Sequence, residues 1–276
     1  LSGWCPSCRS SLWRVIMSNE VYVTENTIDK REARVAAAVN LTEPDRVPFA
    51  PKVNLVYAQE AGITKGEALF DFRTMIPGVR NFLSKYEVDL FWAPADYPSS
   101  VMEVLKTNCI RWPGATWGID RKAGFQILDR SYMDIDDYDE FINNPSHYLM
   151  TKVWADRHDK LKGLAKIDFN AVFEFGHYAS MGVFADPEVR EALLTLMFAG
   201  EKAAEWGAAL GEINQVALEY QAPLGCILGS SAPYDMLADN IRGYINLPMD
   251  IHEEPEKVKA AIDIMTGFCI QGVEQA

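Results

Sequence analysis

Three short apolar runs, set among long helical patterns, most constrain what this chain can fold into. They are Val88-Asp89-Leu90-Phe91-Trp92-Ala93, Ala171-Val172-Phe173-Glu174-Phe175 and Leu224-Gly225-Cys226-Ile227-Leu228-Gly229. A strand with one wet face alternates apolar and polar residues, whereas a strand covered on both faces reads as a continuous apolar run. A further short strand is predicted after the turn Glu43-Pro44-Asp45-Arg46-Val47-Pro48-Phe49. Strands of this kind alternating with helices predict an α/β fold with parallel strands. The count is about four, against the eight of a (β/α)8 barrel, and periodicity alone fits half a barrel and a doubly wound sheet equally.

The helices are signalled by their caps and composition. Thr27, Asp29 and the run Ala33 to Val39 predict a helix ending near Asn40, and a second spans about Ile76 to Tyr86. Trp112 to Met133, punctuated by Gly114, Gly118 and Gly124, reads as a hairpin or irregular insertion, followed by an acidic stretch from Asp134 to Glu140 and a helix before Pro145. A polar helix is predicted around Lys152 to Leu164. Asp186-Pro187-Glu188 opens a long helical region to about Tyr220, with a break expected near Gly200 or Gly207, and Pro255-Glu256 opens the last helix.

Composition narrows the partners. The 276 residues carry 26 Lys+Arg against 39 Asp+Glu, a net charge of -13 that repels nucleic-acid phosphates and anionic membranes. No apolar run reaches the roughly 18 to 20 residues that span a bilayer, and residues 1–16 lack the charged-then-apolar order of a secretory signal. The five cysteines, Cys5, Cys8, Cys109, Cys226 and Cys269, are odd in number and scattered, which predicts reduced thiols in a cytoplasmic protein. Cys5-Pro6-Ser7-Cys8 has no second knuckle to complete a zinc site. Met17-Ser18-Asn19-Glu20 reads as an ordinary start, so residues 1–16 are expected to be a non-native or disordered leader and residues 17–276 one partial domain.

Pro233-Tyr234-Asp235, Asp239-Asn240-Ile241-Arg242-Gly243, Met249-Asp250-Ile251 and Pro255-Glu256-Lys257-Val258, in this order and spacing, resemble the uroporphyrinogen decarboxylase superfamily. The helix followed by Pro44-Asp45-Arg46-Val47-Pro48 is similar to the entry into that family's first barrel strand. The resemblance covers roughly residues 27 to 270 and selects a TIM-type (β/α)8 barrel, expected to be incomplete at its C-terminal end. It implies either decarboxylation of a porphyrinogen or methyl transfer between a corrinoid and a thiol or other acceptor.

In such barrels the active site lies beyond the C-terminal ends of the strands. That rule selects Lys52 and Asn54, Asp96 and Tyr97, Glu174 and His177, and Ser230 with Tyr234 and Asp235. Asp96 is the candidate catalytic residue: the resemblance implies a carboxylate that faces the pyrrole nitrogens, and in an apolar pocket it would pair with a cationic intermediate. The competing reading makes Asp96 a cap for a helix starting near Ser99. Lys52, Asn54, Tyr97, His177, Tyr234 and Asp235 are the candidate substrate-binding residues, Asp235 being equally suited to cap its own helix. His147, His158 and His252 are expected to be solvated.

Two departures shape the function. Where porphyrin decarboxylases carry arginines after the first strand, this chain has Pro51-Lys52-Val53-Asn54-Leu55-Val56-Tyr57. The methyltransferase branch holds zinc through a His-x-Cys pair and a later Cys, and neither Cys226 nor Cys269 has a His two residues before it. The expectation is therefore a methyltransferase of the corrinoid-linked kind, with no metal assigned within this chain and zinc supplied by residues beyond Ala276. The corrinoid would be substrate or the group of a partner protein, and uncovered strand edges make a homo-oligomer the expected state of a half barrel. A corrinoid- or tetrapyrrole-binding module, or an inactive truncated chain, is the alternative of a different class.

Overall fold

A computed structural model describes residues 27–168, 171, 177–225 and 231–274. Helices dominate. In chain order they are α1 (Thr27–Val39), α2 (Val56–Glu60), α3 (Lys65–Phe70), α4 (Ile76–Lys85) and α5 (Ser99–Leu105), then the strands β1 (Ile110–Arg111) and β2 (Gln126–Ile127). There follow α6 (Tyr138–Asn143), α7 (Pro145–Tyr148), α8 (Trp154–Arg157), α9 (His177–Ser180), α10 (Pro187–Glu219), α11 (Pro233–Leu237), α12 (Asn246–Glu253) and α13 (Pro255–Glu274). The chain divides into two compact units. The first takes the described residues up to Ser99, Pro113–Gly124 and those from Ala203 to Gly225; the second takes Ser100–Trp112, those from Phe125 to Lys202 and those from Ser231 onward.

The first unit is organised around one buried carboxylate. Asp89 is 0% exposed and accepts from Arg34 Nη1 at 2.5 Å, from Arg46 Nη1 at 2.5 Å and Nη2 at 2.9 Å, and from the Phe49 backbone N–H at 2.7 Å. Arg34 also grips Asp45 through two N–H groups at 2.6 and 2.7 Å. Helix α1, the Asp45–Phe49 turn and the 88–92 segment are thereby tied to one point. Beside it, the Asp89 N–H donates to Phe49 O at 2.8 Å, Phe91 N–H to Pro223 O at 2.7 Å, and Gly225 N–H to Phe91 O at 2.7 Å. Phe91 and Leu224 form a parallel bridge.

Three of the predicted parallel strands therefore lie side by side, but the extended barrel ladder does not appear among the described residues. The two named strands there are antiparallel, pairing Ile110 with Ile127 and Arg111 with Gln126 at the base of the predicted hairpin. Proline accounts for the brevity of the parallel ladder. Pro48, Pro51, Pro94, Pro98 and Pro223 flank the three segments, and each lacks the N–H that a ladder rung needs. The strand predicted at 171–175, apart from Ala171, and residues 226–229 of the last one lie outside the described residues, as do residues 1–16, Glu174 and Ser230.

Apolar packing completes this unit. Tyr57 stands edge-on to Phe82 with centroids 5.4 Å apart and lies 5.9 Å from Phe91. Gly78 lets α4 approach α2, because a Cβ there would sit 1.8 Å from Tyr57 O.

The second unit has its own buried ion pair, built from the residues that carry the family resemblance. Arg242 donates Nε to Asp250 Oδ2 at 2.5 Å and Nη2 to Oδ1 at 3.0 Å, while Nη1 reaches Met133 O at 2.7 Å and Ser131 Oγ at 3.1 Å. The Tyr138 hydroxyl donates to Asp250 Oδ2 at 2.8 Å. Asn240 accepts from Arg157 Nη1 at 2.9 Å, and Ile241 O accepts from the Tyr132 N–H at 2.7 Å. Gly243 has φ 86° with Asp129 against it, a left-handed position that favours glycine. The Asn-Ile-Arg-Gly signature thus holds the unit together.

Two sequence expectations are corrected. Helix α10 runs unbroken through Gly200 and Gly207; a mid-helix glycine costs only about 1 kcal/mol, and the surrounding Ala, Leu and Glu carry the helix across. His158 is not fully solvated: it is partly buried, its Nδ1 lies 3.0 Å from Thr107 Oγ1, and burial pushes its pKa down to about 4.

Asp89→Asn should destabilise the protein by about 3–5 kcal/mol in urea unfolding, since Arg34 and Arg46 lose their buried counter-charge. His158 generates a pH dependence. Below its ordinary pKa near 6.5 the unfolded chain takes up a proton that the folded chain refuses until about pH 4. The His158 contribution to stability should be flat above pH 7 and fall by about 1.4 kcal/mol per pH unit between 6.5 and 5. It is read as the difference between wild type and variant, so that the opposite contribution of Asp96 cancels. Denaturation of His158→Gln across the same window should show that slope removed.

Candidate functional site

Asp96 follows the parallel bridge in the loop Pro94-Ala95-Asp96-Tyr97-Pro98. It is only 7% exposed, and its Oδ2 has no hydrogen-bond partner among the described residues. Burial disfavours the charged carboxylate and raises its pKa to about 6. A buried acid with an open oxygen can accept a proton, donate one, or pair with a cation that arrives from outside. Helix α5 begins three residues on, at Ser99.

The neighbouring candidates have more ordinary settings. Lys52 is exposed, with Nζ 4.9 Å from the centroid of the Trp92 ring, a cation–π contact. Trp92 also explains Gly225: a Cβ there would come within 2.5 Å of the indole. The structure thus assembles a Lys52–Trp92–Gly225 stack at the end of the ladder, four residues before Asp96. Trp92 and Gly225 were not among the sequence candidates, because both read as parts of apolar strands. Asn54 takes a left-handed φ of 43°, and its carbonyl accepts from the Tyr57 N–H at 3.2 Å, so it closes the turn into α2. Tyr97 is 43% exposed.

Lys52, Asn54, Asp96 and Tyr97 belong to the first unit; Tyr234, Asp235 and His177 belong to the second. Tyr234 is half-buried and Asp235 exposed, both in the first turn of α11. Asp235 is not the cap of that helix: Ala232 occupies the N-cap position, and no side chain caps it. His177 opens α9, and its side chain lies outside the described ones.

A zinc site needs three or four converging ligands. Among the described residues no group of three His, Cys, Asp or Glu side chains could hold a metal ion, so these residues do not fit zinc. Cys109 is buried, and Cys269 is partly buried with its Sγ 3.4 Å from Met236 Sδ. No helix is long and apolar enough to cross a membrane among the described residues. No family model matches the chain, and no curated protein or solved structure matches it.

The raised pKa of Asp96 carries a stability cost with a definite sign. Between its ordinary value of 3.8 and about 6 the unfolded chain releases this proton before the folded chain does, so stability is lost as pH rises through that window. Asp96→Asn should therefore be more stable than the wild type by about 1–3 kcal/mol at pH 7.5, and the gap should close by pH 4. Paired urea titrations at the two pH values check this.

Proposed function

We propose that this protein is an enzyme of the uroporphyrinogen decarboxylase superfamily, a (β/α)8-type chain that transfers a methyl group between a corrinoid and a thiol or other acceptor. The family assignment rests on the resemblance of residues 233–258 and 44–48. The observation that carries an enzymatic reading is the open Oδ2 of buried Asp96. Leaving a carboxylate desolvated and unpaired costs free energy, and a substrate that supplies the missing partner recovers it at the moment of binding. From the structure this reading takes one parallel bridge, Phe91 with Leu224, in a fold that is otherwise rich in helix.

Methyl transfer requires the acceptor to lose a proton before or during attack, and the departing group to be stabilised as it leaves. A carboxyl group with a pKa of about 6 can exchange that proton near neutral pH. Lys52, held against Trp92, offers a positive charge to an anionic substituent of the substrate.

Decarboxylation of a porphyrinogen is a second reading, favoured by the same Asp96. Its carboxylate would pair with the ring nitrogen that becomes positive when carbon is protonated, and CO2 would leave as that charge is neutralised. The absence of arginines from residues 51–57 weighs against it.

Both reactions can be assayed on one preparation. Demethylation of methylcobalamin by a thiol, followed by absorbance with and without added zinc, should proceed and should fall about 100-fold or more in Asp96→Asn. Release of CO2 from uroporphyrinogen, lost in the same variant, would replace the leading reading with the second. Turnover unchanged by Asp96→Asn would remove Asp96 from either mechanism.

A further inference from the structure

The N-terminal half of α10 is apolar on two faces. One face packs the second unit's core through Val189 and Ala192, against Leu161, Leu164 and Ile167. Gly163 permits this approach, since a Cβ there would meet Glu188 O at 2.1 Å. The other face should be polar if it met only water. Instead it carries Leu194, 61% exposed, and Phe198, 48% exposed, at the helical spacing that continues from Arg190.

That second face lines an open, shallow cleft of about 640 Å³ bordered by residues that include Val104 and Lys160. The volume falls within the roughly 300–1,000 Å³ of small-molecule sites. In a chain of net charge -13, the charged residues of this lining are two cations and one anion, Lys160 and Arg190 against Glu191. Lys160 is already engaged, donating to Glu191 at 2.6 Å. Arg190 makes no ion pair among the described residues, and its guanidinium has the planar fork that matches a carboxylate. Lys202 Nζ lies 5.7 Å from the centroid of the Phe198 ring, a cation–π contact.

We infer that this cleft is a binding site for an amphipathic organic carboxylate, its apolar chain lying along Leu194 and Phe198 and its head group on Arg190. The site lies wholly within the second unit and is independent of Asp96 and of the reaction proposed above. An unpaired guanidinium beside exposed apolar side chains recognises both parts of such a ligand: the chain removes Leu194 and Phe198 from water, and the head group supplies Arg190 with its counter-ion.

The test is calorimetric titration of the full chain with decanoate below its micellar range, with decanol and decyltrimethylammonium as neutral and cationic controls. Decanoate should bind saturably at one site and more tightly than either control. Both Arg190→Gln and Leu194→Ser should weaken it about tenfold with unchanged thermal melting, both positions being exposed. The inference is overturned if decanoate fails to saturate, if Arg190→Gln binds it as the wild type does, or if the cationic control binds equally well. The first of these outcomes would leave the face to a macromolecular partner.

Discussion

The Asp89 carboxylate is the constraint from which the first unit follows. A fully buried charge is tolerable only when its desolvation is offset by several short, well-directed hydrogen bonds, and Asp89 receives them from Arg34, Arg46 and the Phe49 N–H. Because those donors come from α1 and the Asp45–Phe49 turn, satisfying one carboxylate ties both to the 88–92 segment. The second unit uses the opposite sign in the same way. Arg242 is the buried charge, and Asp250, Met133 O and Ser131 are its partners.

Against those two satisfied charges, Asp96 stands out. It has comparable burial and the same chemistry as Asp89, yet one oxygen meets no donor among the described residues. The distinction matters more than burial does: Asp89 is a fastening already used, whereas Asp96 keeps a capacity for hydrogen bonding that a substrate could fill. It follows the segment that carries Trp92, whose ring takes a cation–π contact from Lys52 and packs against Gly225.

Much of the helical framework was legible in the chain. The Ala-rich run of α1, the Asp186-Pro187 start of α10 and the Pro255 start of α13 all mark helices found at those places. Asp186 Oδ1 accepts from the Glu188 and Val189 N–H groups, as a capping carboxylate should. The glycines of α10 misled because a break depends on what packs beside them, and α10 has no backbone crowding at Gly200 or Gly207. The burial of His158 had no local signal, since Thr107 is far from it in sequence. The role of the Asn-Ile-Arg-Gly signature was likewise hidden: its spacing could be recognised, but its ion pair with Asp250 is made only when α12 folds back onto it.

By itself the sequence determined the charge balance, the helix starts and the apolar runs, because these depend on residue type and near-neighbour spacing; Asp96 became a candidate through the family resemblance. Tertiary structure decided which charges are spent and which stay open. Asp89 and Asp96 are seven positions apart and carry the same side chain, and nothing in their local pattern separates a carboxylate held by two arginines from one with an oxygen unpaired. That difference arises from long-range packing, which sets the dielectric and the donors around each group.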